Sequence, residues 1–174
     1  VLLPSREEKA DYLKRLFDEV FLRDIIERNR VQNDAQLESL LNVISSAVGS
    51  LTNPKKLEDT FTSSGTGKLS AVTIKQYLDY MCDAFMIEQA ERYDIKGKRF
   101  ISTPYKYYFT DTGLRNARLN FRQLEETHLM ENVMYNELCL RGYSVDVGVV
   151  EINERQEDGK YVRKQIEVDF VCKI

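Results

Sequence analysis

Five cations stand close together in the middle of this sequence: Arg92, Lys96, Lys98, Arg99 and Lys106. Ammonium and guanidinium groups at that density suit one task, the neutralisation of phosphates along a polyanion. Residues 92–118 hold seven basic and two acidic side chains, net +5, whereas residues 1–91 and 119–174 each carry net -4. The formal charge of -3 over 174 residues thus hides a short cationic stretch inside an acidic chain. The competing use of such a stretch is internal, as a solvated hairpin or a strip paired with its acidic flanks.

Other chemistry is harder to find. Ser64-Gly65-Thr66-Gly67-Lys68 resembles a phosphate loop, but G-x-x-x-x-G-K-[ST] fails at both ends. The first glycine position is Thr62, and the hydroxyl that should hold Mg²⁺ is Leu69. The segment before it reads as helix rather than buried strand, so the glycines are expected to make a turn. No acidic motif after an apolar strand serves as a Walker B. Cys82, Cys139 and Cys172 are widely spaced and His128 is the single histidine, so no local pair begins a zinc site. Reduced, mostly buried thiols in a cytoplasmic protein are expected instead. Neither a G-x-S-x-G elbow nor a cysteine-nucleophile signature is present.

The elements that must position the cations follow from periodicity. Ser5 caps a helix with Glu7 and Glu8 in its first turn, and Leu13, Leu16, Phe17, Val20, Phe21 and Ile25 recur at helical spacing. Asp34 is expected to cap a second helix, with Leu37, Leu40, Leu41, Ile44, Ala47 and Val48 on one face and Gly49 at its end. Asn53-Pro54 starts a third. Ser70 caps a fourth, whose inner face is Ala71, Ile74, Leu78, Met81 and Phe85. The pattern then predicts a strand over 86–93, a turn over 94–98 and a returning strand over 99–102.

Helices followed by a hairpin are the order of a winged helix-turn-helix, with 70–84 as the recognition helix and roughly 92–102 as the wing. The exposed face of that helix offers Thr73, Lys75, Gln76, Asp79 and Asp83, a poor surface for phosphates. The wing is therefore expected to supply most of any nucleic-acid affinity. A protein-docking winged helix remains the alternative.

Beyond Pro104 the expected order is a short strand at 106–109, a turn and helical start at 111–116, and a helix over about 125–140 with Met130, Val133, Met134 and Leu138 inward. Two alternating strands follow, one carrying Val145, Val147 and Val149, the other Ile166, Val168 and Phe170, joined by a turn at Asp158-Gly159. The fold class expected is α+β, a helical winged helix-turn-helix domain over 1–105 followed by a partial α/β domain over 106–174. With 43% apolar and 30% charged residues the composition is that of a globular chain. It has no membrane-crossing run and no signal peptide, so a cytoplasmic location without membrane partners is expected. The opening without Met and the stop straight after a strand read as a piece of a longer protein.

Several strings taken in order carry a resemblance. They are Phe21-Leu22-Arg23-Asp24-Ile25-Ile26-Glu27-Arg28, Thr73-Ile74-Lys75-Gln76-Tyr77-Leu78, Arg92-Tyr93-Asp94-Ile95-Lys96-Gly97-Lys98, and Lys106-Tyr107-Tyr108-Phe109-Thr110-Asp111-Thr112-Gly113-Leu114-Arg115-Asn116. After these come Met130-Glu131-Asn132-Val133-Met134-Tyr135-Asn136-Glu137-Leu138, Arg141-Gly142-Tyr143 and Glu167-Val168-Asp169-Phe170-Val171. Together, over about residues 13–172, they resemble the C-terminal region of a large bacterial and archaeal group of predicted AAA+ ATPases, a region known only as a domain of unknown function. The resemblance implies a P-loop module upstream that supplies ATP and Mg chemistry. It also implies a winged-helix segment followed by a degenerate restriction-endonuclease-like α/β fold.

Metal-dependent nucleases of that fold use a helix acid, a strand Asp and an E-x-K on the next strand, with carboxylates holding Mg²⁺. On this resemblance Glu131 matches the helix acid and Asp169 the strand acid, with Glu167 two residues earlier on the same strand face. The E-x-K strand would lie beyond 174, since Lys173 is preceded at 171 by Val. The alternative for both acids is a structural role. The expected function is accordingly a non-catalytic recognition region of an AAA+-type ATPase, binding DNA or a protein target through Arg92, Lys96, Lys98, Arg99 and Lys106, with no cofactor of its own. A Mg-dependent nuclease completed by later residues and an oligomerisation or docking module are the two alternatives.

Overall fold

Ser5 opens the first helix by accepting a hydrogen bond from the Glu8 amide while the Glu8 carboxylate takes the Ser5 amide. The computed structural model describes residues 4–64, 68–155 and 161–174. Helix α1 (Arg6–Leu16) continues through a π-helical turn (Phe17–Leu22) into α2 (Arg23–Asn29), which ends where Arg30 turns left-handed. Helix α3 (Asp34–Ser46) is capped by Asn33, not by the expected Asp34. The Asn33 side chain accepts from the Gln36 amide, which leaves Asp34 in the first turn, where its charge suits the helix dipole. Pro54 starts α4 (Pro54–Ser64), and Ser70 caps α5 (Ala71–Asp83) through the Thr73 amide. Leu37, Leu40, Leu41, Ile44, Ile74, Leu78 and Met81 are buried in one core with Phe17 and Ile25. Each of these side chains contributes about 1.5–3 kcal/mol by leaving water.

Strand β1 (Ile87–Asp94) follows α5 and turns into β2 (Arg99–Phe109). The two short strands expected on either side of Pro104 are one strand. Ala90 faces Lys106 and Arg92 faces Ile101, so residues 102–105 bulge out opposite Glu91. Within that bulge Tyr105 exchanges both backbone hydrogen bonds with Thr52, each 2.8 Å. The boundary expected at 105/106 therefore falls inside β2. Asp111 caps α6 (Thr112–Arg118), and α7 (Glu126–Leu140) leads to β3 (Ser144–Arg155) and β4 (Tyr161–Lys173).

The four strands form one mixed sheet in the order β2-β1-β3-β4. Strands β1 and β3 run parallel, the other pairs antiparallel. The chain is thus a mixed α and β fold. Gly148 sits at the irregularity between β3 and β4, where a Cβ would stand 2.8–3.0 Å from Val171, Val168 and Ile95. The expected turns at Gly65-Thr66-Gly67 and Asp158-Gly159 lie outside the described residues.

Helix α7 is turned from its expected orientation, and of the four residues expected inward only Leu138 packs against the core. Met130, Val133 and Met134 are more than half exposed, while Asn132 and Tyr135 are buried. The reason is local hydrogen bonding. The Asn132 amide takes the Phe109 N–H (2.9 Å) and donates to the Phe109 carbonyl (2.7 Å), and Asn136 donates to the carbonyls of Phe109 and Thr110. Strand β2 ends against α7 through side chains that stand in for a strand neighbour, and the apolar stripe is left outside.

Candidate nucleic-acid interface

The β1–β2 turn is built by an aspartate. Asp94 Oδ1 accepts from the Gly97 amide at 2.9 Å, and Arg99 Nε lies 3.5 Å from Oδ2. The Gly97 hydrogen bond, followed by the Arg99 charge, holds the Asp94 carboxyl below its ordinary pKa against the opposing effect of burial. Position 97 leaves no room for a side chain, since a Cβ there would come within 2.2 Å of Asp94 Oδ2. Gly97→Ala is expected to push the carboxylate out of the turn and expose the amide at 97. Hydrogen exchange by NMR should then show faster exchange at that amide, and an unchanged rate would contradict this account.

Lys96, Lys98 and Arg99 are exposed around this turn. Lys98 occupies the left-handed region at φ 51, and Lys96 Nζ donates to the Glu151 carbonyl at 3.1 Å. The Ile95 amide bonds the Val149 carbonyl, so the turn lies against β3. Between turn and β3–β4 hairpin is an open cleft of about 650 Å³, lined by Lys96, Arg99 and Arg163 with Asp94, Glu151 and Asn153. Arg163 pairs with Glu151, whose other oxygen accepts from Gln165 at 3.0 Å. These contacts, Gln165 first, hold the Glu151 carboxyl below its ordinary pKa. Lys164 pairs with Glu154 at 3.1 Å.

The other expected cations do not join this surface. Arg92 is buried and its guanidinium bonds the Gln165 side chain at 3.1 Å. Lys106 is buried between two carboxylates, with Nζ 2.7 Å from both Glu131 Oε1 and Glu167 Oε1. The Tyr108 hydroxyl also donates to Glu131 Oε1, at 2.6 Å, and its ring stacks on Tyr135. Burial opposes the charge on Lys106, but the hydrogen bonds to Glu131 and Glu167 outweigh it and its pKa is raised. Burial likewise raises the Tyr108 hydroxyl, helped by Glu131.

Two further members of the cationic stretch are held by helix α3. Arg115 is fully buried, with Nε donating to the Ser45 carbonyl at 2.7 Å and Nη1 to the Gln123 carbonyl. Burial lowers its pKa. Arg118 pairs with Glu38 at 3.1 Å and donates to the Asn42 side chain. Much of the local net positive charge is thus consumed inside the fold. On α5, Lys75 pairs with Asp79 at 2.7 Å, which leaves that helix with no open cation on its exposed face.

The two acids assigned to a metal part company. Glu131 belongs to the Lys106 cluster, and Asp169 is exposed on β4. Opposite the single residue between Asp146 and Gly148, β4 places two residues between Val168 and Val171, which breaks the strand alternation. Glu167 and Phe170 therefore both reach the α7 side, where Phe170 meets Tyr108 and Tyr135. The period-two expectation that put Glu167 and Asp169 on one face fails at this bulge. Among the described residues no group of three or more His, Cys, Asp or Glu side chains is arranged to hold a metal ion. The thiols expected to be mostly buried are not: Cys82 and Cys139 are half-buried and Cys172 is exposed, although burial still pushes the Cys82 thiol up to about 11.

Arg163 and Glu151 are the cleft residues that sequence reasoning missed. They lie more than fifty positions from the turn, and only the parallel pairing of β1 with β3 brings them near. Among the described residues no helix is long and apolar enough to cross a membrane.

A family model described as a domain of unknown function (DUF8612) matches residues 1–125. An uncharacterised protein of Haemophilus influenzae is 36% identical over 154 residues, which is 88% of this chain and 38% of that protein. An uncharacterised protein of Methanocaldococcus jannaschii is 26% identical over 170 residues, 98% of this chain and 35% of that protein. The chain thus spans little more than a third of the curated relatives it matches. No solved structure matches it.

Proposed function

The chain belongs to the DUF8612 family, and from the cations around the cleft we propose that it is a recognition region that holds nucleic acid by its phosphates. The observation that carries this reading is the gathering of Lys96, Lys98, Arg99 and Arg163 at one open end of the sheet. The order of α4, α5 and the β1–β2 hairpin supports a winged-helix arrangement in which the hairpin tip, not the acidic face of α5, meets the backbone. The resemblance of its sequence strings to AAA+ ATPase C-terminal regions favours an accessory role beside a nucleotide-driven module. The greater length of the relatives leaves room for one. Such a region would couple the ATPase cycle to its target.

Fluorescence anisotropy with a short DNA duplex tests the reading. Lys96→Glu, Lys98→Glu and Arg99→Glu together remove three phosphate contacts. The slope of log affinity against log salt should then shrink by roughly 0.9 per contact, close to three in all. Binding that keeps its affinity and slope in the triple variant would remove the hairpin from the interface. The nuclease reading finds less support, because Oε1 of Glu131 is already engaged by Lys106 and Tyr108 and, among the described residues, no three carboxylate, His or Cys side chains gather to hold a metal ion. A protein-docking reading has one observation of its own. Met130, Val133, Met134 and Leu140 form an exposed apolar stripe on α7.

A further inference from the structure

Glu151 stands in the cleft with donors around it that suit a phosphate as well as a carboxylate. The register of β3 and β4 is continuous from Gly148 opposite Val168 to Arg155 opposite Tyr161. Glu151, Asn153, Arg163 and Gln165 therefore share one face of the sheet, the face that lines the cleft. One carboxylate oxygen of Glu151 takes the Arg163 guanidinium, and the other accepts from Gln165 Nε2 at 3.0 Å. Lys96 bonds the carbonyl of the same residue. The orientation of Gln165 is fixed from behind. Its Oε1 accepts from Arg92 Nη2 at 3.1 Å, and Arg92 is 8% exposed and, among the described residues, pairs with no carboxylate. A buried guanidinium has only donors to offer, so it holds the oxygen of the Gln165 amide and leaves the NH₂ for the cleft.

We propose that Glu151 is an internal competitor for one phosphate of the nucleic acid, displaced from Arg163 and Gln165 when a phosphodiester enters the cleft. This rests on the reading of the cleft as a phosphate-binding surface and adds what regulates it. The Glu151 side chain is 26% exposed, so it can swing into water when its place is taken. Asp94 lines the same cleft, and its like charge opposes that of Glu151. Exchange of carboxylate for phosphate replaces one pair of charge-assisted hydrogen bonds by another. Contacts at the hairpin tip alone leave Glu151 in place. A backbone seated deeply enough expels it and gains Arg163 and Gln165.

Anisotropy with the same short DNA duplex tests this. Glu151→Gln keeps the shape and removes the charge. It should tighten binding by roughly fivefold or more at about 0.1 M salt and steepen the salt slope by roughly 0.9, one added phosphate contact. Glu154→Gln removes an equal charge from the other face of β3 and should change affinity by less than about twofold. Adding Arg163→Gln to Glu151→Gln should take the gain away. Equal gains from Glu151→Gln and Glu154→Gln would show bulk charge at work and overturn the proposal, as would a gain that survives Arg163→Gln. The triple hairpin variant separates the two possible failures. If it loses binding while Glu151→Gln gains nothing, the phosphate-binding hairpin stands and the competitor role of Glu151 falls. If none of these proteins binds the duplex, both fall.

Discussion

Lys106→Met should lower the unfolding free energy by about 3–5 kcal/mol, toward the lower figure because Glu167 retains some contact with water. The side chain removed is the shared partner of Glu131 and Glu167, and it leaves two carboxylates facing one another at the sheet surface under α7. Urea unfolding at pH 7 measures the loss. Adding Glu131→Gln and Glu167→Gln should return most of it, because the uncompensated charges go with them. If the single substitution unfolds as readily as the parent, the cluster is not a cohesive element. The pH dependence provides a second check. The folded-state pKa of Lys106 is raised, so its contribution is complete below its unfolded value near 10.4 and is lost as pH rises through the folded value. Burial raises the hydroxyls of Tyr107, Tyr108 and Tyr135 as well, and these act in the same alkaline direction. The parent should therefore lose stability steeply above about pH 10, and the Lys106→Met protein less so.

That cluster also explains how the cationic stretch divides. Net charge along a sequence counts Lys106 and Arg99 alike, yet one is buried and the other has a side chain 71% exposed. The difference comes from strand geometry. Lys106 and Tyr108 sit two apart on β2 and so share the face covered by α7, whereas Lys96, Lys98 and Arg99 belong to a turn that no helix covers. Turn positions were legible because Asp94-Ile95-Lys96-Gly97 combines a side-chain acceptor with a residue lacking Cβ. Burial of Lys106 was not legible, since its two partners are 25 and 61 positions away.

The same contrast runs through the rest of the fold. Caps such as Ser5, Pro54 and Ser70 were readable because the signal and the hydrogen bond lie within one turn. The α3 core face and most of the α5 face were readable from spacing, as Leu37, Leu40, Leu41, Ile74, Leu78 and Met81 show, but Phe85, expected with them, is 76% exposed where the chain leaves α5 in a left-handed turn. The inner face of helix α7 does not follow from hydrophobic spacing, since Asn132 and Tyr135 are the residues it buries. Asn132 and Asn136, four apart, held the contrary signal. Two amides one turn apart are expensive to bury unless backbone groups await them. The cleft was half legible, since Arg163 reaches the hairpin tip only through the parallel register of β1 and β3.

Asn132→Asp isolates that signal. The change keeps shape and volume and alters one group, the amide that donates to the Phe109 carbonyl at 2.7 Å. At pH 7 the new carboxylate still accepts the Phe109 amide, but its second oxygen faces a carbonyl oxygen in a fully buried position. A lost hydrogen bond plus a buried charge without a counter-ion should cost at least about 3 kcal/mol. Burial and the facing carbonyl both favour the protonated acid, so the folded-state pKa at 132 must rise above the unfolded value near 3.9. A group shifted upward contributes its stability below the unfolded pKa and loses it as pH rises through the folded one. The variant should thus recover relative to the parent as pH falls below about 5, where the acid O–H can donate in place of the amide. Asn132→Leu cannot recover in this way, because it leaves the Phe109 amide without its side-chain acceptor at every pH, while the carbonyl keeps only the Asn136 donor. Urea midpoints of the three proteins between pH 4 and pH 8 decide the matter. A difference between parent and Asn132→Asp that stays constant over that range would mean that Phe109 is not held by this side chain, and that some other contact seats β2 on α7.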